Sequence, residues 1–200
     1  MPFRQGVGLC RFVVSFIVLP LATAVAGQPA QAPSPQDQMQ QVQKPPVQEL
    51  QWKTYSYPAD GFSAMFPFEP SQDKKDIESA SGTYQLHSYI TEDDQVALYV
   101  GVCDYGEKTG SRNPDTLLGS AKDGALKNSN SRLIGEQAIT LGIYHGLEFQ
   151  AENDSTEFTA RLYMVGSTLY QTLVVTPKGH PYANTTRFLN SFQLIARPAQ

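Results

Sequence analysis

The segment Ile143–Thr176, IYHGLEFQAENDSTEFTARLYMVGSTLYQTLVVT, decides the fold. Apolar and polar residues alternate through it with period two, the pattern of strands that bury one face. The alternation breaks at Asn153-Asp154 and at Gly166-Ser167. Both are turn dipeptides, and a glycine in first place suits a type II′ hairpin. A turn at Asn153-Asp154 predicts Phe149 opposite Phe158 and Leu147 opposite Ala160. A turn at Gly166-Ser167 predicts Met164 opposite Leu169 and Ala160 opposite Leu173. The inner rows of these three strands agree with each other, and a one-residue slip would destroy the agreement. Arg132 to Leu141 reads as a further strand, leading into the meander through Gly142.

This register also fixes what lies outside. His145 falls in the inner row opposite Leu162, where a satisfied core histidine is expected. The outer row holds Tyr144, Glu148, Gln150, Thr159, Arg161, Tyr163, Tyr170 and Thr172. Tyrosine and arginine are enriched at binding surfaces. Glu148 sits diagonal to Arg161, within reach of a long side chain. Left open to solvent, such a row is an ordinary antiparallel face whose Glu–Arg pair contributes little. Covered by a helix, it becomes a half-buried groove.

Upstream, Trp52, Tyr55 and Tyr57 form an apolar strand face, and Asp60-Gly61 predicts a two-residue hairpin turn. Phe62, Ala64, Phe66 and Phe68 alternate on the return strand, and Asp73 to Glu78 reads as a polar edge strand or loop. Thr83–Ile90 and Val96–Cys103 are two long strands around Glu92-Asp93-Asp94. A three-residue loop there pairs Ile90 with Val96, Leu86 with Val100 and Tyr84 with Val102, all on one face. Asn113-Pro114-Asp115 combines an N-cap, a proline at the first helical position and an acid in the first turn. The apolar stripe of Leu117, Leu118, Ala121, Ala125 and Leu126 follows, ending at Asn128 to Asn130. A second helix is expected from His180-Pro181, with Tyr182, Thr185, Phe188, Leu189 and Phe192 at helical spacing. The expectation is one α+β domain over residues 52–197, with a mostly antiparallel sheet and helices packed on it.

The front of the chain reads as an address. Arg4 and Arg11 precede the apolar run Phe12–Ala26, which ends in Ala24-Val25-Ala26, the small-x-small pattern of a cleaved secretory signal over residues 1–26. Fifteen residues span only about 22 Å as a helix, too short for the hydrocarbon core, and Pro20 interrupts them. Retention as an anchor is the alternative; once the segment is cleaved, no stable membrane insertion is expected. Residues 27–51, rich in Gln, Pro and Ala, hold too little apolar surface to offset their ordering entropy and read as a disordered spacer. Cleavage removes Cys10 and leaves Cys103 in a strand, as a buried inert thiol with no disulfide.

Chemistry is harder to find. With 200 residues, 15 Lys+Arg and 19 Asp+Glu, the net charge is −4, which disfavours nucleic-acid binding and polybasic membrane attachment. His87, His145 and His180 match no metal-ligand spacing, and His87 lies on the opposite face of its strand from Leu86, near Tyr99. No nucleophile elbow or phosphate-cradling loop is present, so no cofactor or metal is expected. Glu92-Asp93-Asp94 lacks the alternating ligands of a calcium loop and reads as a solvated tip.

Several short motifs resemble a known family. Tyr57-Pro58, Gly61-Phe62-Ser63, Phe66-Pro67, Pro70 and the closing Arg187-Phe188-Leu189-Asn190-Ser191-Phe192-Gln193-Leu194 look like bacterial envelope proteins of the PsbP-like family. The resemblance covers Trp52 to Ile195 and implies an α/β/α sandwich, used in accessory, adaptor or assembly factors. PsbP itself helps retain calcium and chloride in photosystem II; none of its metal-binding residues is matched here. The expected function is therefore a non-enzymatic periplasmic or secreted binding module that engages a protein or envelope component. Its contact face is expected at Glu148, Arg161 and Tyr163, joined by His87. The alternative is a hydrolase or small-ligand-binding protein whose site assembles from distant segments, with His87 or His180 meeting a carboxylate in a deep cleft.

Overall fold

The computed structural model describes residues 51–79, 82–106 and 113–197. The expected signal segment 1–26 and spacer 27–51 lie outside these residues, Gln51 excepted. The chain runs β1 (Lys53–Tyr57), β2 (Phe62–Phe66), β3 (Ser71–Ser79), β4 (Gly82–Glu92), β5 (Ala97–Asp104) and α1 (Pro114–Asn128). It continues through β6 (Arg132–Leu141), β7 (Tyr144–Glu152), β8 (Thr156–Val165), β9 (Thr168–Pro177), α2 (Thr185–Ser191) and β10 (Gln193–Leu194). Seven strands make one antiparallel sheet in the order β3-β4-β5-β9-β8-β7-β6, and β1-β2-β10 make a smaller one.

The large sheet is covered on both faces by different means. Helix α1 lies on the first face, over a core that includes Leu86, Cys103, Phe149, Phe158, Ala160, Leu162 and Leu169. Its start is as the sequence dictates: Asn113 Oδ1 accepts from the backbone N–H groups of Asp115 and Thr116, and Pro114 has no N–H to satisfy. The second face is covered by the small sheet and α2 together. Phe62, Ala64 and Phe66 of β2, with Phe188, Leu189 and Phe192, pack against Leu98, Val100, Val102, Tyr163, Tyr170 and Val174. A helix therefore lies on each face, as the family resemblance implies, but on the second face it shares the cover with three strands. Helix α2 begins at Thr185, later than the expected His180-Pro181; Tyr182 O accepts from Thr185 N and Oγ1, which sets the first turn there.

The β8–β9 register is the expected one, with Met164 opposite Leu169 and Ala160 opposite Leu173. Two other hairpins differ for a shared reason. At β7–β8 the last pair is Glu152 with Glu157, and the turn between them is tied by Asn153 N–H to Thr156 O at 2.9 Å. Asn153 Oδ1 also accepts from the N–H groups of Ser155 and Thr156. This asparagine turn is two residues longer than a two-residue hairpin. It puts Phe149 opposite Ala160 and Ala151 opposite Phe158. Because the shift is even, the faces are kept, and Phe149 and Phe158 still meet edge to face at 5.8 Å.

Asp93 does the same at β4–β5, its Oδ1 accepting from Gln95 N and Val96 N. The acidic tip is thus partly a turn cap. Here the displacement is odd, so β5 turns over: Leu86 lies opposite Cys103 and Ile90 opposite Tyr99. Val96, Val100 and Val102 leave the α1 side and join the second core. The expected pairs Ile90–Val96, Leu86–Val100 and Tyr84–Val102 are corrected accordingly. The first hairpin is also longer than expected: Tyr57 pairs with Phe62, and residues 58–61 form the turn. Gly61 closes it at φ 75°, where a side chain would be strained and would also press on Arg197 and the Tyr170 hydroxyl.

Candidate functional site

Glu148, Arg161 and Tyr163 come together on the second face of the large sheet. Glu148 and Arg161 are cross-strand partners. Arg161 Nε donates to Glu148 Oε2 at 2.6 Å, and Gln137 Nε2 donates to Glu148 Oε1 at 2.8 Å. Arg161 Nη1 reaches across to Asn190 Oδ1 of α2 at 2.8 Å. Burial raises the Glu148 pKa, but the bonds from Arg161 and Gln137 and the arginine charge outweigh it and hold the carboxyl below its usual 4.5. The guanidinium thus ties α2 to the sheet.

Tyr163 is not an exposed contact residue. It is only 4% exposed, lying flat against Phe192 with ring centroids 5.9 Å apart. Its ring also passes over Gly146, where any side chain would collide with it. Burial pushes its hydroxyl above 10 against the opposing pull of Arg161. Tyr170 and Thr172 of the same row are buried as well. The cover is the small sheet and α2, because α1 lies on the opposite face.

His87 belongs to a separate knot. Its Nδ1 donates to the carboxylate of Asp60 at 2.7 and 2.9 Å, and its Nε2 faces Gln85 Oε1 at 2.7 Å. The Tyr89 hydroxyl donates to the same carboxylate, and its pKa is raised by burial and by that bond. The Tyr170 hydroxyl donates to Asp60 O at 2.8 Å, and Arg197 Nη2 donates to the Tyr170 hydroxyl at 3.1 Å. These bonds hold the 58–61 turn and the C-terminal segment onto the large sheet. A hydrolytic histidine needs its second nitrogen facing a nucleophile or water. Here that nitrogen lies 2.7 Å from Gln85 Oε1, not beside a hydroxyl or thiol.

The remaining histidines are also placed differently from expectation. His145 is not in the core: it is exposed at the start of β7, its Nδ1 2.9 Å from Asp115 Oδ1 at the head of α1. It lies at the end of the strand, beyond the last β7–β8 pair, Gly146 with Tyr163. His180 lines an open recess with Asp94, Gln95 and Tyr182, and among the described residues no hydrogen bond joins it to Asp94. No group of three or more His, Cys, Asp or Glu among the described residues is arranged to hold a metal ion.

What sequence reasoning missed is the open continuation of the outer row. Beyond the Glu148–Arg161 pair the row runs into a groove with no residue of the small sheet in its lining. Gln150, Thr159, Val174 and Thr176 floor a groove of about 320 Å³, with Tyr182 and Thr185 on one wall and Ile134 on the other. Ile134 is 52% exposed, at a bulge between Leu133 and Gly135. The Tyr182 hydroxyl is buried with no hydrogen-bond partner among the described residues. Glu157 also lines the groove and lies directly opposite Glu152. Arg132 and Lys178 both engage Glu152, and neither bonds to Glu157. Gln150 and Thr159 were legible as part of the row; the wall from Pro181 to Thr185 was not, because that stretch reads as helix.

No family model matches this chain, and neither does any curated protein. Eleven solved chains do. One is cyanobacterial PsbP (CyanoP) from Synechocystis sp. PCC 6803, at 16% identity and a TM-score of 0.47, covering 74% of this chain and 95% of that one. Another is a protein from Bacteroides thetaiotaomicron VPI-5482, at 11% identity and a TM-score of 0.38, covering 71% of this chain and 48% of that one. Among the described residues no helix is long and apolar enough to cross a membrane.

Proposed function

We propose that this chain is a non-enzymatic exported accessory module that binds a protein or envelope component. The observation that carries the reading is the groove floored by Gln150 and Thr159: it is open, is lined by apolar and polar groups in similar measure, and has on its lining the Glu157 carboxylate, which has no ion-pair partner among the described residues. Glu148 and Arg161 are the next cross-strand pair along the same row, beside the Gln150–Thr159 pair of the groove floor. Export is supported by the apolar segment ending at Ala26.

Co-purification from the native envelope tests the binding role. Thr159→Arg fills the groove from its floor and should abolish recovery of the partner, while Lys75→Glu on the far edge of the same sheet should leave it intact. Equal recovery with both variants, each folded by circular dichroism, would defeat the proposal. N-terminal sequencing of the mature protein tests export, with Gly27 the expected first residue.

A further inference from the structure

We infer that the partner is an extended polypeptide segment, carrying a basic side chain, that adds as an eighth strand along the outer edge of β6 and turns one side chain into the groove. This rests on the binding-module reading and names what the module binds.

The two edges of the large sheet differ. An open edge presents a row of unpaired N–H and C=O groups, which proteins usually protect with charge. Strand β3 does so, with Asp73, Lys74, Lys75 and Asp76 in succession. Strand β6 has two charged residues in ten, and both are engaged within the chain: Arg132 by Glu152 and Glu136 by Lys122 at 2.5 Å. Among the described residues the outer side of β6 has no backbone partner, its pairing being with β7 alone. It is therefore a long edge whose protection is a single bulge at Ile134 rather than free charge.

The bulge at Ile134 divides that edge. From Gly135 to Leu141 the strand is regular, which gives roughly 24 Å of edge and about six to eight backbone hydrogen bonds to an antiparallel newcomer. Ile139 and Leu141 already pack against the second core, so apolar side chains on the added strand would extend it. At the bulge the exposed Ile134 side chain borders the groove, where Glu157 supplies a negative charge. Backbone edge, apolar flank and carboxylate together select an extended segment with alternating apolar residues and a lysine or arginine near one end.

The test uses the full chain and a fluorescent ten-residue probe in which valine alternates with threonine and lysine. Two further probes carry N-methyl groups on alternate residues, one in each phase, so that one set faces the β6 edge and the other faces away. Strand addition predicts that one phase weakens binding about tenfold or more and that the other leaves it within about twofold. Glu157→Lys should also weaken the lysine-bearing probe by about tenfold. Because the phases differ only in the peptide, folding of a variant does not enter the first comparison. Equal binding by both methylated probes overturns strand addition and leaves the groove reading standing. Absence of binding by the unmethylated probe at about 1 mM, with envelope co-purification still sensitive to Thr159→Arg, overturns it too. Loss of that sensitivity would instead defeat the binding-module reading itself.

Discussion

Replacing Phe192 by alanine should loosen the second layer from the large sheet. Phe192 is 4% exposed and stacks on Tyr163, lies 5.7 Å from Phe62 and sits 5.7 Å from Tyr170, so one ring touches both layers. Truncating a buried phenylalanine costs about 3–5 kcal/mol, the transfer of the ring plus the cavity left behind. The cavity should not collapse easily, since its walls are rings on β strands tied by the Arg161–Asn190 bond and the Asp60 knot. A cost of about 4 kcal/mol would lower the melting temperature of a domain this size by roughly 8–16 °C. Urea unfolding at matched protein concentration measures it, with the dependence on denaturant compared to show that both proteins unfold as one unit. The Tyr163 hydroxyl, raised by burial, should relax toward 10 in the variant. Phe68→Ala, at a residue 43% exposed, is the control and should cost less than about 1 kcal/mol. A loss below 1 kcal/mol for Phe192→Ala, with unchanged denaturant dependence, would show that this ring does not join the layers.

Two further outcomes follow from the same contacts. Asp60→Ala strips the acceptor from His87 Nδ1 and from the Tyr89 hydroxyl, leaving two half-buried or buried donors unmet at about 1–3 kcal/mol each; unfolding in urea should register a loss of roughly 2–6 kcal/mol. Alkali should unfold the domain: burial pushes Tyr57 up to about 12, and Tyr89, Tyr163 and Tyr170 are also raised above 10. The unfolded chain then loses these phenolic protons first, so stability is full below about pH 10 and is lost as pH rises through the folded values. Ultraviolet difference absorbance followed against pH should show tyrosine ionisation coinciding with unfolding, and a separate, earlier ionisation of all ten tyrosines would contradict it.

The sequence was most legible where a turn has one solution. Gly166, at φ 60°, allows the tight turn expected of it, and the β8–β9 register follows to the residue. It was least legible where an Asp or Asn side chain chose the loop. Asp93 and Asn153 each lengthen a hairpin by bonding forward to backbone N–H groups, and either residue also suits a two- or three-residue turn. An even error leaves the faces intact, as with Phe149 and Phe158; an odd one turns a strand over, as with β5. The candidate site suffered differently. Glu148 and Arg161 were recognisable as a pair, but alternation marks two faces without saying which partner covers each. Tyr163 carries a polar tip and a large apolar ring, so its place beneath Phe192 depended on a helix remote in sequence.

The most direct test of the account is a photo-crosslinking residue placed at Ile134 and, in a separate variant, at Lys75, in full-length protein expressed in its own cells. The account predicts a defined polypeptide adduct from Ile134, at the β6 edge and the groove, and none from Lys75 on the charged β3 edge. An adduct from Lys75 with none from Ile134 would contradict it.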